Sequence, residues 1–380
     1  MEDLIYLDYC ATTPVHPEVK KYVLETLDWY YGNPSSMHQA GIDAKKLLER
    51  ARFSVATSIG CQLEEVIFTS GATEADNLAI FGIMRQYEPG NAHLITSSIE
   101  HHAVLHAAHQ LKREGYAISV LPVDSDGLVD PEDVKKAIGA KTRLVSIMQV
   151  NNEVGSIQSV SEISKITAEK EILFHTDAVQ GIGYLNTDVN SLNVDLLSLS
   201  AHKIFGPKGA GALYVRSNVE IQPMIHGGPQ ESGRRPGTEN IPGIVGLGQA
   251  LQLTTEKKIE EFSRLSKLRT WFVEAIKDAI PGIVVNGSEN VSPHILSVSF
   301  PGAIAEMMQF HLHTQGVAVS LGSACTSKEI EPSHVLQAMG IPMAQIEGTL
   351  RISFGYPTTQ DELSRVLELL PVVWRRSQAS

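Results

Sequence analysis

The sequence predicts an α/β protein, with a large domain built on a mostly parallel sheet flanked by helices and a smaller C-terminal α/β domain. Between residues 66 and 200, short apolar runs of strand length alternate with helix-periodic stretches. Strands that alternate with helices are joined by crossovers and lie parallel. Polar clusters fall where those runs end, at the carboxyl edge where such sheets bind ligands. With 380 residues the chain also exceeds what one hydrophobic core serves, so two domains are expected.

Residues 1–15 form an N-terminal arm, extended through Leu4-Ile5-Tyr6-Leu7, ended by Pro14 and expected to pack with the small domain. The large domain covers 16–253. Gly32-Asn33-Pro34-Ser35-Ser36 breaks any period and reads as a loop. Ala44, Leu47, Leu48, Ala51 and Val55 keep helical spacing and predict a helix over 40–59, with Cys61 a small buried residue just beyond it. A strand at 66–69 leads into a helix over 72–86, and a strand at 93–96 into a helix over 100–113. Strands follow at 118–121, 144–147, 173–176 and 194–199, with helical stretches near 131–138 and 160–170. The small domain covers 254–380. Ile259, Phe262, Leu265, Leu268, Trp271, Phe272, Ala275 and Ile276 mark one face of the long helix that enters it, and strands are expected near 295–300 and 350–354.

Hydrophobic residues make up 43% and charged residues 19%, the balance of a globular enzyme rather than a disordered chain. Met1 to Tyr6 show no basic region followed by an apolar stretch, and no apolar run reaches about 18 residues. A cytoplasmic protein without membrane association is expected. The three cysteines, Cys10, Cys61 and Cys325, are too scattered for a disulfide framework and fit no zinc spacing, which suits a reducing compartment. A net charge of -12 argues against tracking a nucleic-acid backbone.

The chemistry centres on Ser198-Leu199-Ser200-Ala201-His202-Lys203, where a buried strand ends in a lysine before a Gly/Pro-rich turn. Lys203 is either a surface lysine in that turn or a desolvated amine fit for a Schiff base. The Gly206 to Gly211 run lacks the ending of a phosphate loop. Thr69-Ser70-Gly71-Ala72-Thr73-Glu74 opens a helix as a plain cap or as an anion cradle. Glu100-His101-His102 stands at the next strand end, with His101 a base or a stacking partner for a planar ligand. His102 and His106 lie one turn apart but lack the carboxylate spacing of a zinc protease, so no metal is expected.

Asn151-Asn152-Glu153 is a polar turn. His175-Thr176-Asp177-Ala178-Val179-Gln180 closes a strand with a carboxylate that, once buried, needs a partner; a pyridinium nitrogen is one kind. The run from Gly227 to Asn240 reads as a flexible surface connection. Arg351, inside an apolar strand, calls for a carboxylate, structural or substrate. Ser320-Leu321-Gly322-Ser323-Ala324-Cys325 places a cysteine among small residues, exposed enough for a nucleophile, with Cys10 its competitor.

With those motifs the chain resembles the cysteine desulfurases of the NifS/IscS type, pyridoxal 5'-phosphate (PLP) enzymes of fold type I. The resemblance runs from Tyr6-Leu7-Asp8 to Arg351-Gly355 and includes Asn33-Pro34-Ser35-Ser36 and Gly322-Ser323-Ala324-Cys325, the segment that related aminotransferases lack. It implies that Lys203 holds the cofactor covalently and then shuttles protons, that Asp177 keeps the ring nitrogen protonated, that His101 stacks on the ring, and that Gln180 bonds its hydroxyl. Ala72, Thr73, Ser200 and His202 would bind the cofactor, the last three through its phosphate. Thr238 would reach the phosphate of the other subunit, which implies a homodimer. Arg351, Asn33 and Asn152 would fix the substrate, with Asn152 also touching the cofactor. Cys325 would take sulfur from L-cysteine as a persulfide, releasing alanine.

Cys10 and Thr176 stand where the family usually has another small residue and a valine. The sequence ends at Ser380, short of the tail with which longer relatives dock an iron-sulfur scaffold, so a scaffold and a tRNA or cofactor thiolation enzyme are equally open as acceptor. A selenocysteine lyase or an aminotransferase on the same fold is the alternative.

Overall fold

The computed structural model describes residues 4–321 and 332–378. In chain order, strand β1 (Ile5–Tyr6) precedes helices α1 (Pro17–Trp29) and α2 (Gln39–Ile59). The alternating region then runs β2 (Val66–Thr69), α3 (Ala72–Met84), β3 (His93–Ser97), α4 (His102–Arg113), β4 (Ala117–Leu121), α5 (Pro131–Ala137) and β5 (Thr142–Ser146). It continues through α6 (Val160–Glu169), β6 (Leu173–Asp177), α7 (Val189–Leu192), β7 (Leu196–Ser200) and β8 (Gly211–Val215). Helix α8 (Ile241–Ala279) leads to β9 (Val284–Asn286), β10 (Ile295–Ser299), α9 (Ala305–Thr314), β11 (Val317–Ala318) and β12 (Ser320–Leu321). Beyond residue 331 come α10 (His334–Ala338), α11 (Met343–Ile346), β13 (Thr349–Ser353) and α12 (Gln360–Arg376).

Among the described residues, seven strands form the large sheet in the order β2-β8-β7-β6-β5-β3-β4. The β7-β6-β5-β3-β4 neighbours pair in parallel, as the alternation requires. Strands β3, β5, β6 and β7 are buried on both faces, which is why they read as largely continuous apolar runs rather than as an alternating pattern, whereas β4 at the sheet edge is mostly exposed or half-buried. Strand β8, absent from the sequence reading, is antiparallel to both neighbours and joins β2 to the rest. It became invisible in sequence because it begins with a glycine inside a Gly-rich turn. Gly211 has a packing reason: a Cβ there would lie 2.7 Å from Gly71 Cα and 2.7 Å from the Leu199 carbonyl.

Two further elements differ from expectation. Helix α1 shows little apolar period, because it buries only Val19 and Thr26. Helix α8 begins at Ile241, well before the expected start near 254, and runs unbroken for 39 residues. Its first turns contain glycines that imitate a loop but serve contact: a Cβ on Gly248 would meet Ala51 Cα of α2 at 2.9 Å. Leu247 and Leu251 of this helix belong to the core under the large sheet, whereas Leu265, Phe272 and Ile276 belong to the C-terminal core.

The C-terminal sheet is antiparallel, in the order β12-β13-β10-β9. The N-terminal arm ties the two sheets together. β1 pairs in parallel with β11, and Ile5 and Leu7 are buried in the C-terminal core. Beyond them Ser353 of β13 donates its amide to the Leu7 carbonyl (2.8 Å), Cys10 donates its own to Ser353 Oγ (2.9 Å), and Thr13 donates to the His202 carbonyl (2.9 Å). Among the described residues no helix is long and apolar enough to cross a membrane.

Because the atoms facing Gly211 are backbone, they cannot swing aside. We expect Gly211→Ala to lower the free energy of unfolding by about 1–3 kcal/mol, read from urea midpoints. Gly139→Ala, where nothing lies within 4 Å of the added carbon, is the control, and is expected to change stability by less than about 0.5 kcal/mol.

Candidate active site

Five strand ends of the large sheet, the N-terminal arm and the C-terminal sheet enclose one cavity of about 820 Å³. The β2–α3 turn brings Gly71, Ala72 and Thr73; the β3–α4 junction brings His101; the segment after β5 brings Asn152. Asp177 and Gln180 arrive from β6, Ser200, His202 and Lys203 from β7, and Arg351 from β13. Thus most of the residues singled out in the sequence meet in one place.

Lys203 closes a short 3-10 turn, Ala201–Lys203, at the end of β7. Its Nζ donates to the carbonyl of Cys10 and to that of Ala11 (2.9 Å). Burial pushes its pKa down to about 8, so a useful fraction of the amine is neutral near physiological pH. Asp177 is 6% exposed and accepts the Val179 amide through Oδ1 at 2.9 Å. Burial raises its pKa to about 6, against the opposing Lys203 charge.

His101 caps α4: its Nδ1 accepts the Ala103 amide at 3.1 Å. Its ring opens onto the cavity but is walled by protein, and that walling, with the Lys203 cation, pushes its pKa down to about 4. The ring is therefore neutral, and its proton sits on Nε2. His202, whose Nδ1 lies 3.2 Å from Thr12 Oγ1, is also held neutral by burial and by Lys203, with a pKa of about 4. Helix α3 starts without a side-chain cap, and Ser200 Oγ, buried beside Gly71, has no hydrogen-bond partner among the described residues. Uncapped amides and an orphaned hydroxyl at a helix N-terminus make an anion site.

Arg351 is partnered on two sides, by Asp8 Oδ1 (3.0 Å) and the Asn152 carbonyl (3.1 Å), while its Nε has no partner among the described residues. The carboxylate that the sequence demanded for it is thus at least partly structural. Asn151 is the turn-maker of its pair: its Oδ1 accepts the amides of Glu153 (2.9 Å) and Val154 (3.0 Å). Asn33 and Thr238 are exposed and do not line the cavity of this chain. Asn33 Oδ1 accepts the Ser35 amide instead (2.9 Å). Cys325 lies outside the described residues, although Ser320 and Leu321, just before its segment, line the cavity.

The 227–240 run is not the flexible connection its composition suggested. Glu231 is buried, accepts the Phe68 amide (2.9 Å) and pairs with Arg52 (2.7 Å), while Arg235 pairs with Glu74 (2.7 Å). His102 and His106 are neighbours, with ring centroids 5.0 Å apart, and His334 stands 4.7 Å from His102. No group suited to a metal ion occurs among the described residues.

The class-V aminotransferase model matches residues 5–366. The chain belongs to the class-V aminotransferase family. It is 45% identical over 371 residues to the cysteine desulfurase IscS of Dictyoglomus turgidum, covering 97% of this chain and 94% of that one. It is 46% identical over 372 residues to the IscS of Methanosarcina thermophila, covering 97% and 91%. Among solved structures, a NifS-like protein superimposes with a TM-score of 0.93 at 38% identity, covering 98% of this chain and all of that one. A second, described as SspA in complex with cysteine, reaches 0.84 at 37% identity, covering 92% and 98%. These likenesses place this class-V member with the cysteine desulfurases of the NifS/IscS type.

Enzymes of this family depend on PLP, and the residues present fit it. An amine of lowered basicity suits the aldehyde, a buried acid suits the ring nitrogen, and the orphaned Ser200 hydroxyl at the open end of α3 suits the phosphate.

Several ionisable groups behind the cavity received no role from the sequence, Glu100 and His175 although they stand in motifs named above. Glu100 is fully buried, takes a hydrogen bond from Ser97 Oγ (2.6 Å), and accepts the Met148 amide on both oxygens (3.1 Å each), bracing the turn that presents His101. His175 is bonded to Ser146 Oγ (2.8 Å) and Ser198 Oγ (3.0 Å), and Asp76 Oδ1 lies 3.6 Å from its Nε2. An aspartate in the interior of an apolar helix was the available signal for Asp76, since a buried acid is rare without a task.

Burial and the neighbouring Asp177 hold the Asp76 carboxyl well above the usual range. Such a group takes up a proton on folding, so it subtracts stability increasingly as pH rises above about 4. Asp76→Asn removes that dependence. We expect its urea midpoint to gain on the wild type between about pH 5 and pH 8; a gap that stays constant or narrows contradicts a buried acid at this position.

Proposed function

We propose that the chain is a PLP-dependent cysteine desulfurase that converts L-cysteine to L-alanine and holds the sulfur as a persulfide on Cys325. The observation that carries this is the meeting of Lys203, Asp177, His101 and the open α3 terminus in one cavity, whose wall includes Leu321, four residues before Cys325. Family membership and the cysteine-bound relative support the same substrate.

Lys203 would hold the cofactor's aldehyde carbon, Asp177 its ring nitrogen, Gln180 its ring oxygen and His101 its ring face. Thr73, Ser200 and His202 would surround the phosphate, with Ala72 also against the cofactor. When bound, PLP supplies the electron sink that lets the substrate lose its Cα proton and break its Cβ–S bond. Lys203 Nζ, released from its covalent duty, is basic enough to take that proton and weak enough to return one. Arg351 and Asn152 orient the substrate carboxylate. The neutral His101 offers the Nε2 proton within the cavity. Cys325 attacks the substrate sulfur as a thiolate: an S–S bond forms, the Cβ–S bond breaks, and the bonding electrons stay with the carbon fragment that is protonated to alanine. Attack on the outer sulfur by an acceptor thiol then restores Cys325. A homodimer, in which Thr238 completes the partner's phosphate site, a cytoplasmic setting, and an iron-sulfur scaffold or thiolation enzyme as acceptor complete the reading.

The test is intact mass of the holoenzyme after brief exposure to L-cysteine without reductant, with peptide mapping and an alanine assay. One extra sulfur on Cys325 with matching alanine is expected; no adduct and no alanine in PLP-loaded protein refutes the reading. Cys325→Ser is expected to retain bound PLP while losing cysteine turnover by about a thousandfold or more.

A further inference from the structure

His294 stands just before β10, 2% exposed, and no step above uses it. Both of its ring nitrogens are engaged: Nδ1 lies 2.8 Å from Ser292 Oγ, and Nε2 lies 3.1 Å from Gln180 Oε1. Tyr184 stacks on its face, with centroids 4.0 Å apart and 17° between the planes. Burial, together with the Lys203 and Arg351 charges, pushes its pKa down to about 3, so the ring is neutral.

A neutral imidazole has one donor and one acceptor nitrogen, and the choice between them fixes the neighbouring amide. The Cys10 carbonyl decides it. That oxygen only accepts, and it accepts from Gln180 Nε2 at 3.1 Å as well as from Lys203 Nζ. With the amide nitrogen held on that side, Gln180 Oε1 faces His294 and requires a donor. His294 Nε2–H is that donor, and Nδ1 is left to accept the Ser292 hydroxyl. The second N–H of the Gln180 amide is then left for the cavity that Gln180 lines.

We propose that His294 is a positioning residue that locks the Gln180 amide with its N–H toward the cavity, as donor to the ring oxygen of bound PLP. This rests on the cofactor assignment above and not on the sulfur chemistry. A donor at that oxygen stabilises its anionic form and so lowers the proton affinity of the nitrogen through which Lys203 holds the cofactor. Without His294, Gln180 Oε1 is a buried acceptor with no donor, and the side chain relieves this by leaving its place.

The experiment is a spectrophotometric pH titration of bound PLP, without cysteine, in holoenzyme of the wild type, His294→Leu, His294→Gln and His294→Phe. We expect the midpoint of His294→Leu to rise by about one pH unit, a tenfold gain in proton affinity. His294→Gln, whose amide can still donate to Gln180, is expected to recover most of that shift. An unchanged midpoint in His294→Leu, or equal shifts in the Leu and Gln variants, overturns the proposal. If His294→Leu does not fold, His294→Phe decides: it keeps a ring against Tyr184 but has no N–H for Gln180, so the same upward shift is expected and an unchanged midpoint overturns the proposal. A wild type that takes up PLP but yields no alanine refutes the desulfurase reading and leaves this comparison standing; one that takes up no PLP overturns both.

Discussion

An amine held out of bulk water by two backbone carbonyls of a distant segment is the interaction on which the cavity depends. Lys203 reaches the Cys10 and Ala11 carbonyls, and these are in place only because the N-terminal arm is threaded between the two sheets. The arm in turn is fastened by Ser353 of β13 at one side and by the His202 carbonyl at the other. Backbone carbonyls are suited to this work, since they lend the amine acceptor oxygens without adding a charge that would raise its basicity. The Cys10 carbonyl serves twice, for Lys203 and for Gln180, so one oxygen orients two of the groups at the cavity floor.

The electrostatics of the interior are opposite to those of the whole chain. The protein carries a net charge of -12. Yet the cavity gathers Lys203, Arg351 and uncapped helix amides, a set that welcomes phosphate and carboxylate. Burial favours the protonated forms of two acids around it: Glu100 is pushed up to about 8, and Glu153, which lines the cavity and is tied to Ser333, up to about 7. Low dielectric thus does two jobs, weakening the base where a neutral amine is needed and silencing carboxylates where a negative charge would repel the ligand.

Much of this was legible in the sequence, for identifiable reasons. Parallel strands buried on both faces leave continuous apolar runs, and a sheet of that kind puts its chemistry at strand ends, so Asp177, His101 and Lys203 could be placed together from sequence. What stayed hidden depends on contacts between distant segments. Helix α1 and strand β8 carry weak periods; the start of α8 is disguised by glycines that exist for helix contact. Glu231 looked like part of a solvated loop because nothing local reveals its pairing with Arg52. His294 was silent because its significance lies wholly in the atom it faces, 114 residues away in the chain. Asn33 and Thr238 were placed by resemblance alone, and neither lines the cavity that holds Lys203.

Helix α8 has a consequence of another kind. It passes from the core beneath the large sheet to the core beneath the C-terminal sheet without a break. A helix advances by a fixed increment of about 1.5 Å per residue and resists stretching. The separation between Asp177 and Lys203 on one side and Arg351 on the other is therefore gauged by a stiff spacer and not by a loop. A residue inserted midway along it would not be absorbed locally: it would turn and displace one core against the other, and with it Arg351 against Asp177 and Lys203.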